Sequence, residues 1–327
     1  MIIVMLVQIY IPDNFSKGYI PFLLFRNACE RVLKKYTDMV EKIEFIYDIH
    51  DIYNHPDTVV IMNMYDINLS DGKDYIRQVI FQERHIKILL INTEHWELRG
   101  GKEIFDILSK RNIKNIGIIE YNIINYEILT EHYKNISVLF LPMLYDPYLE
   151  TYFKQNVCDN TIPWHKKDID VLFYGSLNQR RHTIFDKLRP NWHVHLVDSH
   201  HGATNEELCK LIQRSKVTIN VLFYDFNIMF DYYRNSLLLA NRNIVVIETP
   251  EKINMTHEYW LDGIENHILN APYDEIASKV DETLRKSPEE INEILDRQYK
   301  WFSMVSVEDV LVPFFQQIND TGELPTK

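Results

Sequence analysis

The sequence predicts an α/β protein of two Rossmann-like parallel-sheet domains facing each other across a cleft. Three observations carry this expectation. Short runs of Ile, Val and Leu alternate with helix-period stretches along most of the chain, which is the rhythm of β-α-β units. The apolar runs are continuous rather than alternating, as in strands buried on both faces. The stretch "LPMLYDPYLETYFKQNVCDNTIPWHKKD", Leu141 to Asp168, has three prolines and no period, and it separates two similar halves.

The chain opens on "MIIVMLVQIYI", whose run Ile2–Ile9 reads as a buried first strand. It lacks the basic start and small-residue cleavage site of a signal peptide, acidic Asp13 follows it, and it is too short to span a bilayer. Tyr19–Lys35 has helical period, and Ile43–Tyr47 and Thr58–Met62 are the next strands. Lys73–Phe81 is a helix, Ile86–Ile91 a strand, Lys102–Lys110 a helix, Ile113–Glu120 a strand, Ile123–His132 a helix and Val138–Leu141 a strand. These form a first domain over 1–145, followed by a linker over 146–168.

The second domain, 169–327, repeats the pattern. Its strands are Val171–Tyr174, His193–Val197, Val217–Phe223, Ile244–Glu248 and His267–Leu269. Its helices are Gln179–Leu188, Asn205–Arg214, Ile228–Asn241 and Tyr273–Lys286. Two more, Pro288–Phe302 and Val307–Ile318, have no strand after them; the pair either braces the second domain or crosses back onto the first.

At 327 residues the chain is long enough for two separate cores. Acidic residues outnumber basic ones 47 to 35, and the net charge of -12 disfavours non-specific attraction to nucleic acid or an anionic bilayer. Cys29, Cys158 and Cys209 are far apart and form no C-x-x-C pattern, which suits a reduced, cytoplasmic setting. No stretch is long enough for a transmembrane helix.

Glycine is scarce, 9 of 327 residues, so its positions are informative. Gly18 and Gly175 each follow the first strand of a half, at the carboxyl edge where open α/β sheets bind ligands. Neither turn spells G-x-G-x-x-G, and no G-x-x-x-x-G-K-[ST] occurs, so dinucleotide-binding and P-loop fingerprints are absent.

The richest stretch is "DVLFYGSLNQRRHTIF", Asp170 to Phe185. An apolar strand runs into a Gly-Ser turn, and two arginines stand at the mouth of the next helix. Cations there are unfavourable by about 0.3–1 kcal/mol each unless something compensates them, so a negative partner is expected. Gly175 allows close backbone approach, Ser176 or Asn178 can cap the helix, and Arg180 and Arg181 carry forked donors that match phosphate oxygens. The set suits a diphosphate held without a metal.

"DVLFYGSLNQRRHTIFDKL", "LCKLIQRSKVTINVLFY", "FDYYRNSLLLANRNIVVIE" and "YWLDGIENHILNAPYDEIASKVDETL" resemble, in order, blocks of the nucleotide-binding half of GT-B glycosyltransferases. The resemblance is greatest to small bacterial and viral members; it spans about Asp170 to Phe302 and is weak in the first half. It implies a hexosyl- or pentosyltransferase of glycan biosynthesis, moving a sugar from a nucleotide-sugar donor to a glycan or other hydroxyl acceptor. No cofactor beyond the donor substrate is implied. It puts Gly175, Ser176, Asn178, Arg180 and Arg181 near the donor's diphosphate or nucleoside. Arg234, in "FDYYRNS", and Glu248, ending "IVVIE", fall near the donor's phosphate and sugar hydroxyls. The sequence departs from the pattern at Arg242, where many relatives carry glycine.

Each assignment has a plainer alternative. Arg234 lies three residues after Asp231, a spacing that also suits a surface ion pair. Glu248 can cap the following helix instead of binding a sugar. Tyr224 and Phe230 flank a loop where an aromatic ring can stack on a base, or they pack in the core.

In the first half, "INTEHWELRGG" sets Glu94 and His95 just past an apolar strand. Either has the chemistry of a general base for an acceptor hydroxyl, and either suits an ordinary cap or surface position. Lys17 and Gly18 are candidates for the donor phosphates or the acceptor. No metal site is expected: the D-I-D of Asp168 to Asp170 precedes a strand rather than following one, and His193, His195, His200 and His201 lack completing ligands.

Three other readings remain open at this stage. One is a nucleotide-sugar epimerase of the same fold, which would act without an acceptor. Another is a non-catalytic sugar- or nucleotide-binding module. The third, a sugar transferase acting on DNA, is opposed by the net charge.

Overall fold

The structure is a computed structural model that describes residues 5–10, 20–35, 40–53, 55, 57–64, 86–92, 101–142, 144–157, 162–198, 205–223, 232–249, 264–304 and 306–325. The chain divides into two compact units, Met1–Met143 with Val307–Lys327, and Leu144–Ser306.

The first unit is built on a parallel sheet of β1 (Met5–Tyr10), β2 (Val40–Ile46), β3 (Thr58–Asn63), β4 (Lys87–Asn92), β5 (Ile116–Glu120) and β6 (Ser137–Phe140), in the order β2-β1-β3-β4-β5-β6. Every residue of β3, β4 and β5 is buried, which explains why these strands are apolar without alternation. Helices α1 (Ile20–Lys35), α2 (Gly101–Lys110) and α3 (Ile123–His132) connect them. α2 buries Ile104, Phe105 and Leu108, one stripe at helical spacing, against a core that includes Leu90, Ile116 and Ile118. The helix expected over Lys73–Phe81 lies outside the described residues.

The second unit begins with α4 (Pro147–Asn156) and carries a parallel sheet of β7 (Ile169–Gly175), β8 (Val194–Asp198), β9 (Ser215–Asn220), β10 (Ile244–Glu248) and β11 (Leu269–Ala271). The strand order is β11-β10-β9-β7-β8. Its helices are α5 (Gln179–Leu188), α6 (Asn205–Arg214), α7 (Tyr232–Ala240), α8 (Ile264–His267), α9 (Ile276–Leu284) and α10 (Pro288–Phe302). Val171, Phe173, Phe185, Val217, Ile219 and Val246 meet in its core. α10 starts in a capping box, with Ser287 and Glu290 each bonding the other's backbone N–H.

The stretch expected as a linker over 146–168 contains a helix. Asp146 caps α4 by accepting from the Tyr148 N–H at 2.8 Å. Pro147 occupies the first helical position, where no N–H is needed. α4 packs beside α6 and α7.

The terminal helices part company. α10 packs beside α7 in the second unit. The last helix, α11 (Val307–Thr321), belongs to the first unit, although the sequence division carried the second domain through to 327. Glu308 of α11 pairs with Arg31 and Lys35 of α1. The tail beyond it packs on β5, where a Cβ on Gly117 would stand 3.2 Å from Leu324.

Both sheets share one topology. The chain passes from the first strand of each to a neighbour on one side, β2 or β8, and then to a neighbour on the other, β3 or β9. The switch points are therefore β1/β3 and β7/β9, and open α/β sheets bind ligands at the carboxyl ends of such strands.

Candidate functional site

At the β7/β9 switch point β7 ends on Gly175, whose φ of 140° is a conformation that side chains with a Cβ rarely adopt. The guanidinium of Arg234 lies against it: a Cβ on Gly175 would stand 2.9 Å from Nη2. Arg234 Nη1 donates to Asn220 Oδ1, the last residue of β9, at 3.3 Å. The same guanidinium lies over the rings of Tyr174 and Phe173, 5.1 and 5.7 Å from their centroids. Asn220 in turn donates to Asn235 Oδ1 at 3.4 Å. Asn235 is 1% exposed, and its amide nitrogen has no partner among the described residues. Arg234 and Asn235 lie in the first turn of α7, whose N-terminus is electropositive.

The two arginines of α5 are engaged elsewhere. Arg180 is paired through both terminal nitrogens with Glu248 at the end of β10. Its Nη1 also donates to the Leu222 carbonyl at 2.9 Å, and its guanidinium stacks 3.9 Å from the centroid of Tyr273. The Tyr273 hydroxyl donates to the Arg180 carbonyl at 2.7 Å. The pair is largely buried, at 18% and 4% side-chain exposure, so removing either partner strands the other charge at a cost of about 3–5 kcal/mol.

Arg181 is 6% exposed. It donates from Nε to the Val221 carbonyl at 2.9 Å and from Nη1 to the Ser176 carbonyl. Asn178 caps α5, accepting from the Arg181 N–H at 3.0 Å, while its amide nitrogen donates to the Phe223 carbonyl at 2.6 Å. The carbonyls of Val221, Leu222 and Phe223 are thus held one each by Arg181, Arg180 and Asn178. β9 ends at Asn220, three residues before the expected strand end, because these residues leave the sheet to meet α5.

Gly175, Ser176, Asn178, Arg180, Arg181, Arg234 and Glu248 therefore gather at one sheet edge. Arg180 and Glu248, expected to meet separate groups of a donor, are each other's partners. Lys17, Gly18, Glu94, His95, Tyr224 and Phe230 lie outside the described residues, as do Cys158, His200 and His201.

The D-I-D stretch, His193 and His195, which the sequence does not mark as a metal site, fall at the opposite, amino edge of the second sheet. Asp168 pairs with Arg214, and Asp170 with Lys216 at 2.7 Å. His193 Nδ1 bonds the Asp168 carbonyl at 2.8 Å. Burial lowers the His195 imidazole below its usual range, with the neighbouring His193 adding to the effect.

Sequence reasoning singled out Glu248 but passed over the other buried polar residues at the carboxyl edges. Asn63, Asn92, Glu120 and Glu248 each end an otherwise mostly apolar strand, Asn220 ends a more mixed one, and that repeated polar ending is a signal legible in the sequence. In the first unit Glu120 is fully buried. Asn92 donates an amide N–H to it, and the Asn122 backbone N–H donates at 2.8 Å. Burial pushes the Glu120 carboxyl up to about 8, against the opposing pull of the N–H donors of Asn122, Asn92 and Asn125.

No protein-family model matches the chain. An uncharacterized protein of Acanthamoeba polyphaga mimivirus is similar, 26% identical over 258 residues that cover 74% of this chain and 76% of that one. Among solved structures, the N-terminal domain of Candida albicans trehalose-6-phosphate phosphatase superposes with a TM-score of 0.57 at 10% identity, covering 97% of this chain and 96% of the other. Apo OtsA gives 0.54 at 10% identity over 96% and 99% of the two chains. A glycosyltransferase from Rickettsia africae gives 0.52 at 11% identity over 97% and 99%. The fold is thus the GT-B type, with two parallel-sheet units, as the sequence resemblance implied.

Proposed function

We propose that the protein is a glycosyltransferase that moves a sugar from a nucleotide-sugar donor to an acceptor hydroxyl, with the donor diphosphate at the β7/β9 switch point. The observation that carries this reading is the Arg234 guanidinium lying on Gly175, a cation at the edge where open α/β sheets take their ligands. As the bond from the sugar's anomeric carbon to the diphosphate breaks, negative charge grows on the leaving phosphate oxygen. A fixed guanidinium and the N-terminal end of α7 offset that charge, so the reaction needs no divalent ion. Glu94 or His95, following β4 in the chain, takes the proton from the acceptor hydroxyl if the anomeric centre inverts.

The reading is tested by incubating the protein, in the presence of a chelator, with UDP-, GDP-, ADP- and CMP-sugars and a panel of hydroxyl acceptors. Released nucleotide and glycosylated acceptor are then measured. Acceptor-dependent release from one nucleotide class is the expected result. Conversion of the donor sugar with no acceptor would make the protein an epimerase, and binding without turnover of any donor would make it a binding module.

A further inference from the structure

We propose that Asn178, Arg180, Arg181 and Glu248 are positioning residues that form a latch on the exit of β9, and that they do not touch the donor. This deepens the reading above and rests on it for its consequence in binding. Three consecutive carbonyls, of Val221, Leu222 and Phe223, are each taken by one side chain from the mouth of α5. The intervening Leu222 N–H is taken as well, by Glu248 Oε2 at 2.9 Å. Glu248 therefore holds Leu222 by both of its backbone groups, directly through the N–H and through Arg180 on the carbonyl.

Such an arrangement uses the donors of a guanidinium on backbone acceptors and a carboxylate, and the ring of Tyr273 covers its face. It also explains why two arginines stand at a helix N-terminus. The negative partners they need are the Glu248 carboxylate and a row of carbonyl oxygens. The segment they fix continues directly from Asn220, whose side chain bonds Arg234. The latch thereby sets the position of the cation at the switch point without supplying it.

The test has two arms. In the first, amide hydrogen exchange is followed in the wild type and in Arg180→Met and Glu248→Met. The Leu222 amide loses protection in both variants, while Val217 to Asn220 in β9 keep theirs, which also shows that the variants are folded. Unchanged protection at Leu222 would overturn the latch.

In the second arm, affinity for inorganic pyrophosphate is measured for the wild type, both single variants and the double variant. Residues acting through one latch give a double variant no weaker than the worse single, about tenfold below wild type. Were Arg180 a direct contact instead, Arg180→Met alone would lose affinity while Glu248→Met, which removes a carboxylate that repels the anion, would bind pyrophosphate at least as tightly as the wild type, and that result would overturn the proposal. If the wild type binds no pyrophosphate, the donor reading fails, while the exchange arm still decides whether the latch exists.

Discussion

Gly175 and Arg234 are matched to each other: the guanidinium occupies the space that any side chain at position 175 would need, with 2.9 Å left between Nη2 and a Cβ placed there. Gly175→Ala therefore acts twice. It strains a backbone held at φ 140°, at about 1–3 kcal/mol, and it displaces the cation. Thermal unfolding is expected to show a lower midpoint and a diminished response to nucleotide. A full nucleotide response in the variant would separate Arg234 from the ligand.

Glu120 makes stability depend on pH. Its folded carboxyl lies at about 8, raised from 4.5 by burial, so between these values the native state holds a proton that the unfolded chain has lost. Stability is accordingly greatest below the unfolded value and falls by about 1.4 kcal/mol per pH unit as pH rises through the window. Glu120→Gln keeps the shape and removes the charge. Chemical denaturation at a series of pH values is expected to show this fall in the wild type and a flatter profile in the variant, with the two curves crossing toward alkaline pH.

Arg242 marks the point where the sequence departs from the GT-B pattern it resembles. Its φ of 51° is left-handed, the conformation that glycine usually supplies just past a helix end. Arginine accepts a strain of about 1–2 kcal/mol there, and it is compensated by stacking 4.5 Å from the centroid of Tyr299 and by pairing with exposed Asp296. Arg242→Gly is expected to change stability by less than about 1 kcal/mol. Arg242→Val, whose β-branch deepens the strain and which loses both contacts, is expected to cost about 2 kcal/mol, as read by the denaturation midpoint.

Asn178 serves two backbones through opposite ends of one amide. Asn178→Asp retains the cap on α5 but loses the donor to the Phe223 carbonyl; Asn178→Ala loses both. The alanine variant is expected to be destabilised by about 2 kcal/mol and the aspartate variant by about half of that. Equal costs would mean that the cap contributes nothing, and an aspartate variant as stable as the wild type would mean that the Phe223 bond contributes nothing.

Much of the architecture was legible because burial on both faces of a sheet demands continuous apolar runs. β10, α3, α5, α6 and α10 have the bounds that periodicity and capping residues imply. α4 was not legible because the three prolines of the surrounding stretch read as a break, although Pro147 sits where a helix tolerates it. The partition of α11 was not legible either, because what decides it, Glu308 meeting Arg31 and Lys35, lies more than 270 residues away in sequence.

The site shows the same limit. Gly175 with its two following arginines was visible as a constellation, but its partners were not: Glu248 lies 68 residues beyond Arg180, and the carbonyls of Val221 to Phe223 have no residue identity to read. Arg234 and Asn220 meet only because β7, β9 and α7 converge at the switch point.

The most direct test of the account is thermal unfolding with UDP, GDP, ADP and CMP in turn, in the presence of a chelator, on the wild type and on Arg234→Met. A nucleotide at 100 times its dissociation constant adds about 2.7 kcal/mol of stability. The account predicts that one diphosphate nucleotide raises the wild-type midpoint without metal and that Arg234→Met loses the response. A midpoint unmoved by all four at saturating concentration, or an Arg234→Met response equal to that of the wild type, would contradict it.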